Sequence, residues 1–133
     1  MAGLFELLDK IRVKPGMYIG GTSVTDLFMF LGGYKIAQQE FGVAFTEAEK
    51  RFYREFQPWL QRRLGMTTSR SWAKMLEFRS INQQEAFESF FKLLDEFCES
   101  EGLARREQPQ TAEAMIQGER LRNANDSEQV KAS

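Results

Sequence analysis

Twelve phenylalanines, two tryptophans and three tyrosines all fall between Phe5 and Phe97, and most recur at intervals of three or four. An α-helix turns once every 3.6 residues, so this spacing lines rings along one side of a helix. Phe87, Phe90, Phe91, Leu94, Phe97 and Cys98 make the clearest such stripe. A stripe of that width is stable only against other apolar faces, which points to several helices around one core. No segment alternates with a sustained period of two, so a β-rich fold is not expected. The expected fold class is all-α: a compact bundle of about five helices with a polar C-terminal tail.

The first helix is expected near residues 2–13, on Leu4, Leu7, Leu8 and Ile11, with Pro15-Gly16 as its stop. Met17-Tyr18-Ile19 then reads as a short extended piece before Gly20-Gly21. Ser23 is the candidate N-cap of a second helix, with Asp26 three positions on. Val24, Leu27, Phe28 and Leu31 share its apolar face, and it ends near Phe41-Gly42. Gly32-Gly33 lies inside it, where each Gly costs roughly 1 kcal/mol relative to Ala, and so predicts a kink or a close helix crossing.

Thr46 and Glu49 form a capping box ahead of a third helix, which carries Phe52, Tyr53, Phe56, Trp59, Leu60 and Leu64 and stops at Gly65. Pro58 within it predicts a kink or a break into two pieces. A short fourth helix near 69–78 has Trp72, Met75 and Leu76 on one side. The fifth begins at Asn82 and Glu85 and ends at Gly102. Trp59 and Trp72 are expected as packing residues, and Cys98 as a small buried hydrophobe.

From 103 to 133 there is no aromatic residue, and Gln, Glu, Arg, Asn, Ala and Ser dominate. Such a segment buries too little apolar surface to offset its ordering entropy. The expected division is a helical domain over 1–102 and a polar tail over 103–133, disordered or with one weak helix over 111–121 on Met115, Ile116 and Leu121. Glu6, Asp9 and Lys10 interrupt the opening apolar run, which suits neither a signal peptide nor a membrane span. A cytoplasmic, non-membrane protein is expected.

Composition narrows the chemistry. There is no histidine and one cysteine, so an intrachain disulfide, a Cys/His zinc site and every His-based catalytic pair are excluded. The acidic residues show no recognisable acid/base spacing. No enzyme activity, cofactor or metal is expected.

The formal net charge is only -1, but its distribution is uneven. Residues 50–79 hold Lys50, Arg51, Arg54, Arg62, Arg63, Arg70, Lys74 and Arg79 against Glu55 and Glu77. Residues 80–101 hold Glu85, Glu88, Asp95, Glu96, Glu99 and Glu101 against Lys92. One account is internal, with adjacent helices of opposite sign attracting each other. The other is a contact surface: Glu85, Glu88, Asp95 and Glu99 lie opposite the Phe face and would present carboxylates to a basic partner. The basic stretch would suit phosphates, but without a reading motif nucleic acid is not the expected partner.

The most distinctive string is Arg12-Val13-Lys14-Pro15-Gly16-Met17-Tyr18-Ile19-Gly20. It is a packing connector by its turn chemistry, with Met17 or Tyr18 as candidate contacts. It resembles the RPGMYIG stretch near the start of the ATPase domain of gyrase B and its relatives, over about ten residues. That family places a catalytic Glu and a magnesium-binding Asn on the following helix. The helix here, LFMFLGGYKIAQQE, has neither on its central turns, and no glycine-rich phosphate loop follows. ATP hydrolysis is therefore not expected.

A broader resemblance rests on motif order. After PGMYIG comes Ser23, Leu27, Phe30, Gly33 and Tyr34, then Trp59-Leu60 with Arg63-Leu64-Gly65. Ser71-Trp72-Ala73-Lys74-Met75-Leu76 follows, and last Ala86-Phe87, Phe90-Phe91, Leu93-Leu94 and Glu96-Phe97. Over about residues 4–98 this is similar to a group of small bacterial proteins, some of which resemble immunity proteins encoded beside secreted or contact-delivered toxins. The resemblance implies an inhibitor that binds a cognate toxin domain and occludes its active site. It names no contact residues. A nuclease toxin would have a basic cleft, and the acidic face of the fifth helix, Glu85, Glu88, Asp95, Glu96 and Glu99, is the expected contact. The alternative is a non-catalytic helical adaptor or regulatory protein, homodimeric through an aromatic face.

Overall fold

A computed structural model describes residues 3–103 and forms them into six helices, with no strand among the described residues. These are α1 (Leu4–Val13), α2 (Pro15–Tyr18), α3 (Val24–Glu40), α4 (Glu47–Leu64), α5 (Trp72–Arg79) and α6 (Gln83–Ser100). The chain is an all-α bundle with α6 at its centre, packed on α3, α4 and α5, while α3 also packs on α5.

Side chains written into the sequence open and close the helices. Ser23, Thr46, Ser71 and Asn82 each accept a backbone N–H from three residues on, at 3.1, 3.1, 3.2 and 2.8 Å. At α4 the bond is reciprocated, because Glu49 Oε1 accepts the Thr46 N–H at 3.0 Å. α3, α4 and α6 end alike. Gly42, Gly65 and Gly102 take positive φ of 67, 64 and 63°. The amide after each glycine then reaches back to the carbonyls of Gln38, Gln61 and Cys98. This left-handed closure satisfies otherwise orphaned carbonyls and favours glycine, which lacks a Cβ.

The core is built from Leu4, Leu8 and Ile11 of α1, Val24, Leu27 and Leu31 of α3, and the aromatic stripes of α4 and α6. Phe56 is its hub. Its ring stacks on Phe52 at 5.1 Å and meets Phe90 and Phe97 edge-on at 5.7 and 5.4 Å. Trp59 and Trp72 lie against Phe56, each at 6.0 Å, and Trp72 stacks on Phe90 at 4.6 Å. Both tryptophans are packing residues, and Cys98 is buried in the same core.

One local expectation is corrected outright and two in part, the helix crossing at Gly32-Gly33 and the break at Pro58. Pro15–Tyr18 is one helical turn, not an extended piece. Pro15 supplies a preset φ at the first helical position, where a missing N–H costs nothing. Gly32-Gly33 admits no neighbour: α3 runs unbroken, and a Cβ built on either glycine meets no atom within 4 Å. Pro58 sits inside a continuous α4. It forfeits the N–H that would bond the Arg54 carbonyl, and Arg54 lies on the exposed side of the helix, where that loss costs least.

Leu103 packs against the core, its amide bonded to the Cys98 carbonyl at 2.9 Å. The rest of the expected tail, with the expected helix over 111–121, lies outside the described residues. No helix among the described residues is long and apolar enough to cross a membrane.

Candidate functional site

The acidic residues of α6 divide between internal pairing and solvent. Asp95 accepts from Arg12 Nη1 of α1, at 3.1 Å to each carboxylate oxygen. The same guanidinium lies over the Phe91 ring, 5.4 Å from its centroid. Glu96 is turned toward α4, where Arg63 Nε binds it at 2.9 Å. Glu101 is held by Arg51 of α4. Glu88 accepts from Gln84 at 3.3 Å, and Glu99 is exposed. Glu85 is half-buried in the first turn of α6. Glu85 and Glu88 are thus grouped at one end and Asp95 and Glu99 at the other, with Lys92 between them in the helical register. Arg12 and Arg63 flank the C-terminal group. Opposite charge drawn between helices is present in the fold, and the acidic stripe is not continuous. Exposed pairs of this kind are worth about 0–1 kcal/mol each, so they set register more than stability.

A different surface is less accounted for by the fold. Phe78 in the last turn of α5 is 83% exposed, and Ile81 ahead of α6 is 88% exposed. Trp72, Met75 and Leu76 make the inward side of α5, which leaves Phe78 pointing to solvent. Ile81 precedes the Asn82 cap, the position from which an apolar residue commonly staples onto the fourth helical residue. That residue, Ala86, is buried, yet Ile81 does not cover it.

Two clefts flank this corner. One, of about 330 Å³, lies where the C-terminal ends of α4 and α5 meet the middle of α6. Arg63, Arg79, Lys92 and Glu96 are its charged walls, and Ser80 and Ser89 supply hydroxyls. The other, of about 260 Å³, is lined by Met66, Thr68, Arg70, Lys74, Met75 and Phe78. Sequence reading missed Phe78 and Ile81. The signal was present for Phe78, which falls off the apolar stripe of α5.

Glu77 holds α5 in place. Its carboxylate accepts from the Thr25 hydroxyl of α3, from Gln83 Nε2 at 2.9 Å, and from Lys74 Nζ at 3.1 Å. These donors, Thr25 foremost, pull its pKa down from 4.5 to about 2. A carboxylate with a depressed folded pKa stabilises the fold above its unfolded pKa. That contribution disappears as pH falls from 4.5 towards 2. Because the carboxylate still touches water, about 2 kcal/mol is expected, less than the full shift implies at about 1.4 kcal/mol per unit. Urea unfolding at neutral pH should therefore show Glu77→Gln destabilised by about that amount, with the difference from wild type closing at the acid end. A pH-independent difference would remove the carboxylate from the account.

One polar cluster is buried between α3 and α4. Gln38 and Glu49 are each 2% exposed, and Gln38 Nε2 lies 3.5 Å from Glu49 Oε2 and from the Ala44 carbonyl. Burial, then the charge of Glu49, pushes the Tyr53 phenol pKa well above its usual 10. The cluster fixes the α3–α4 corner. Among the described residues, no group of three or more His, Cys, Asp or Glu side chains is placed to hold a metal ion.

Comparison of the chain with protein-family models, curated proteins and solved structures finds no match.

Proposed function

We propose that this domain acts by binding another protein, and that its role is to neutralise a cognate secreted or contact-delivered toxin by occluding that toxin's active site. The observation that carries the binding part is the corner of Phe78 and Ile81, two large apolar side chains in solvent beside two charged clefts. Exposed apolar anchors beside polar walls are what protein interfaces use for affinity, since burying such side chains supplies most of the binding energy. The toxin part rests on the order of motifs from Pro15 to Phe97.

A second reading, a helical adaptor that pairs with a copy of itself, is favoured by the outward face of α3. Met29 and Ile36 are exposed there, and Gly32 and Gly33 between them leave room for a close helix approach.

Deleting the gene for this chain alone should arrest growth of its native cell, and inactivating the neighbouring toxin gene should restore it. Normal growth of the single deletion, with the neighbour expressed, rejects the toxin reading. A concentration-dependent dimer by sedimentation, together with that normal growth, supports the adaptor.

A further inference from the structure

The cleft between α4, α5 and α6 has a charge its own fold leaves uncompensated. Helix α6 contributes Ser89, Lys92, Leu93 and Glu96, spaced to share one face. Across from them stand Arg63 near the end of α4 and Arg79-Ser80 at the end of α5. The one carboxylate among the lining residues, Glu96, is taken by Arg63 at 2.9 Å. Among the described residues, neither Arg79 nor Lys92 has a carboxylate within 4.0 Å, and Arg79 Nη1 has only the Leu64 carbonyl at 3.5 Å. A concave site bounded by protein focuses the field of such charges more than a flat surface does. Two hydroxyls in the same walls add donors suited to an anionic oxygen.

The second cleft repeats the sign and adds apolar surface. Arg70 and Lys74 stand over Met66, Met75 and Phe78; Lys74 is paired with Glu77 at 3.1 Å, which leaves Arg70 as the cation of this cleft without a carboxylate partner among the described residues. Phe78 lines this second cleft, and its chain neighbour Arg79 lines the first, so the apolar and the charged walls meet at the end of α5. The combined surface asks for a guest with carboxylates and apolar side chains at close spacing. A nucleic-acid strand gains its affinity from a row of phosphates and stacked bases, and here the walls of the two clefts hold one ring, Phe78.

We propose that the corner of α5 is a docking site for an acidic, leucine- or isoleucine-bearing segment of a protein partner, one of whose carboxylates enters between Arg79 and Lys92. This deepens the reading of the domain as a binding protein and rests on it. It also reverses the sign expected from α6: the partner's contacting surface is acidic, not basic.

The test is an NMR titration of the full chain with a short synthetic peptide of alternating leucine and glutamate pairs. The amides of Ser80, Ser89 and Leu93 should shift and saturate. The same peptide with glutamine for glutamate should bind at least about tenfold more weakly, as should the native peptide to the Arg79→Gln, Lys92→Gln double variant. The variant's unfolding midpoint in urea shows that it is folded, and Arg79→Lys should keep part of the affinity. Equal binding of the glutamine peptide overturns the proposal. So does a thymidine oligonucleotide, or a phosphatidylserine vesicle, that shifts these amides at lower concentration than the peptide. Shifts produced by raising the protein concentration alone overturn it in favour of a second copy of this chain. The outcome is independent of the deletion phenotype, so a failed peptide titration beside a lethal deletion removes the docking site and leaves the toxin reading standing.

Discussion

Phe56→Ala is expected to cost about 3–5 kcal/mol and to bring the domain close to unfolding at 25 °C. The ring is 1% exposed and meets five other aromatic rings, contributed by α4, α5 and α6. Truncation removes the burial energy of a whole phenyl ring and also leaves a cavity. The surrounding rings cannot close it easily, because each is fixed by its own neighbours: Phe90 is stacked on Trp72, and Phe97 is held edge-on by Trp59. Urea unfolding followed by tryptophan fluorescence should show the midpoint falling by roughly 2 M or more, with little change in slope. Trp59 and Trp72 report on this site directly, since both touch Phe56. A cost below about 1 kcal/mol would mean that the rings rearrange freely, and the account of the core as interlocked would fail.

That core was legible because helix periodicity is local. Phe52, Phe56 and Leu60, and Phe87, Phe90, Leu94 and Phe97, are buried as their spacing requires. The start and stop signals were legible for the same reason: Thr46 with Glu49 and the glycines at 42, 65 and 102 act within one turn. What failed to show was either too short to carry a period or decided by distant residues. Pro15–Tyr18 is one turn, too brief for an apolar repeat. Gly32-Gly33 reads as a crossing point because its usual reason is contact, yet no neighbour stands there. The acidic run on α6 was visible as charge, but its division was not. Arg12 and Arg63 reach Asp95 and Glu96 across 83 and 33 residues of sequence. The cleft of Arg63, Arg79 and Lys92 has the same origin: three helix segments converge, and no one of them carries the pattern.

Phe78→Asp combined with Ile81→Asp should separate function from folding in the opposite sense to Phe56→Ala. Both side chains are more than four-fifths exposed, so their removal forfeits little burial. A change in folding stability within about 0.5 kcal/mol is expected, as for surface substitutions generally. Solubility should rise, because two large apolar groups leave the solvent-facing surface. Binding is expected to suffer far more. If these residues anchor a partner, losing both, and adding two carboxylates against an acidic surface, should weaken association by a factor of about a hundred or more. In the native cell the double variant should behave like the gene deletion, although its unfolding curve overlays that of wild type. Reversing Glu88 and Glu99 on α6 provides the contrast. These side chains line neither of the corner's clefts, and their reversal should leave protection intact if the acidic partner is the true one. Protection lost through Glu88 and Glu99 but kept by the Phe78, Ile81 double variant would move the contact to α6 and restore a basic partner.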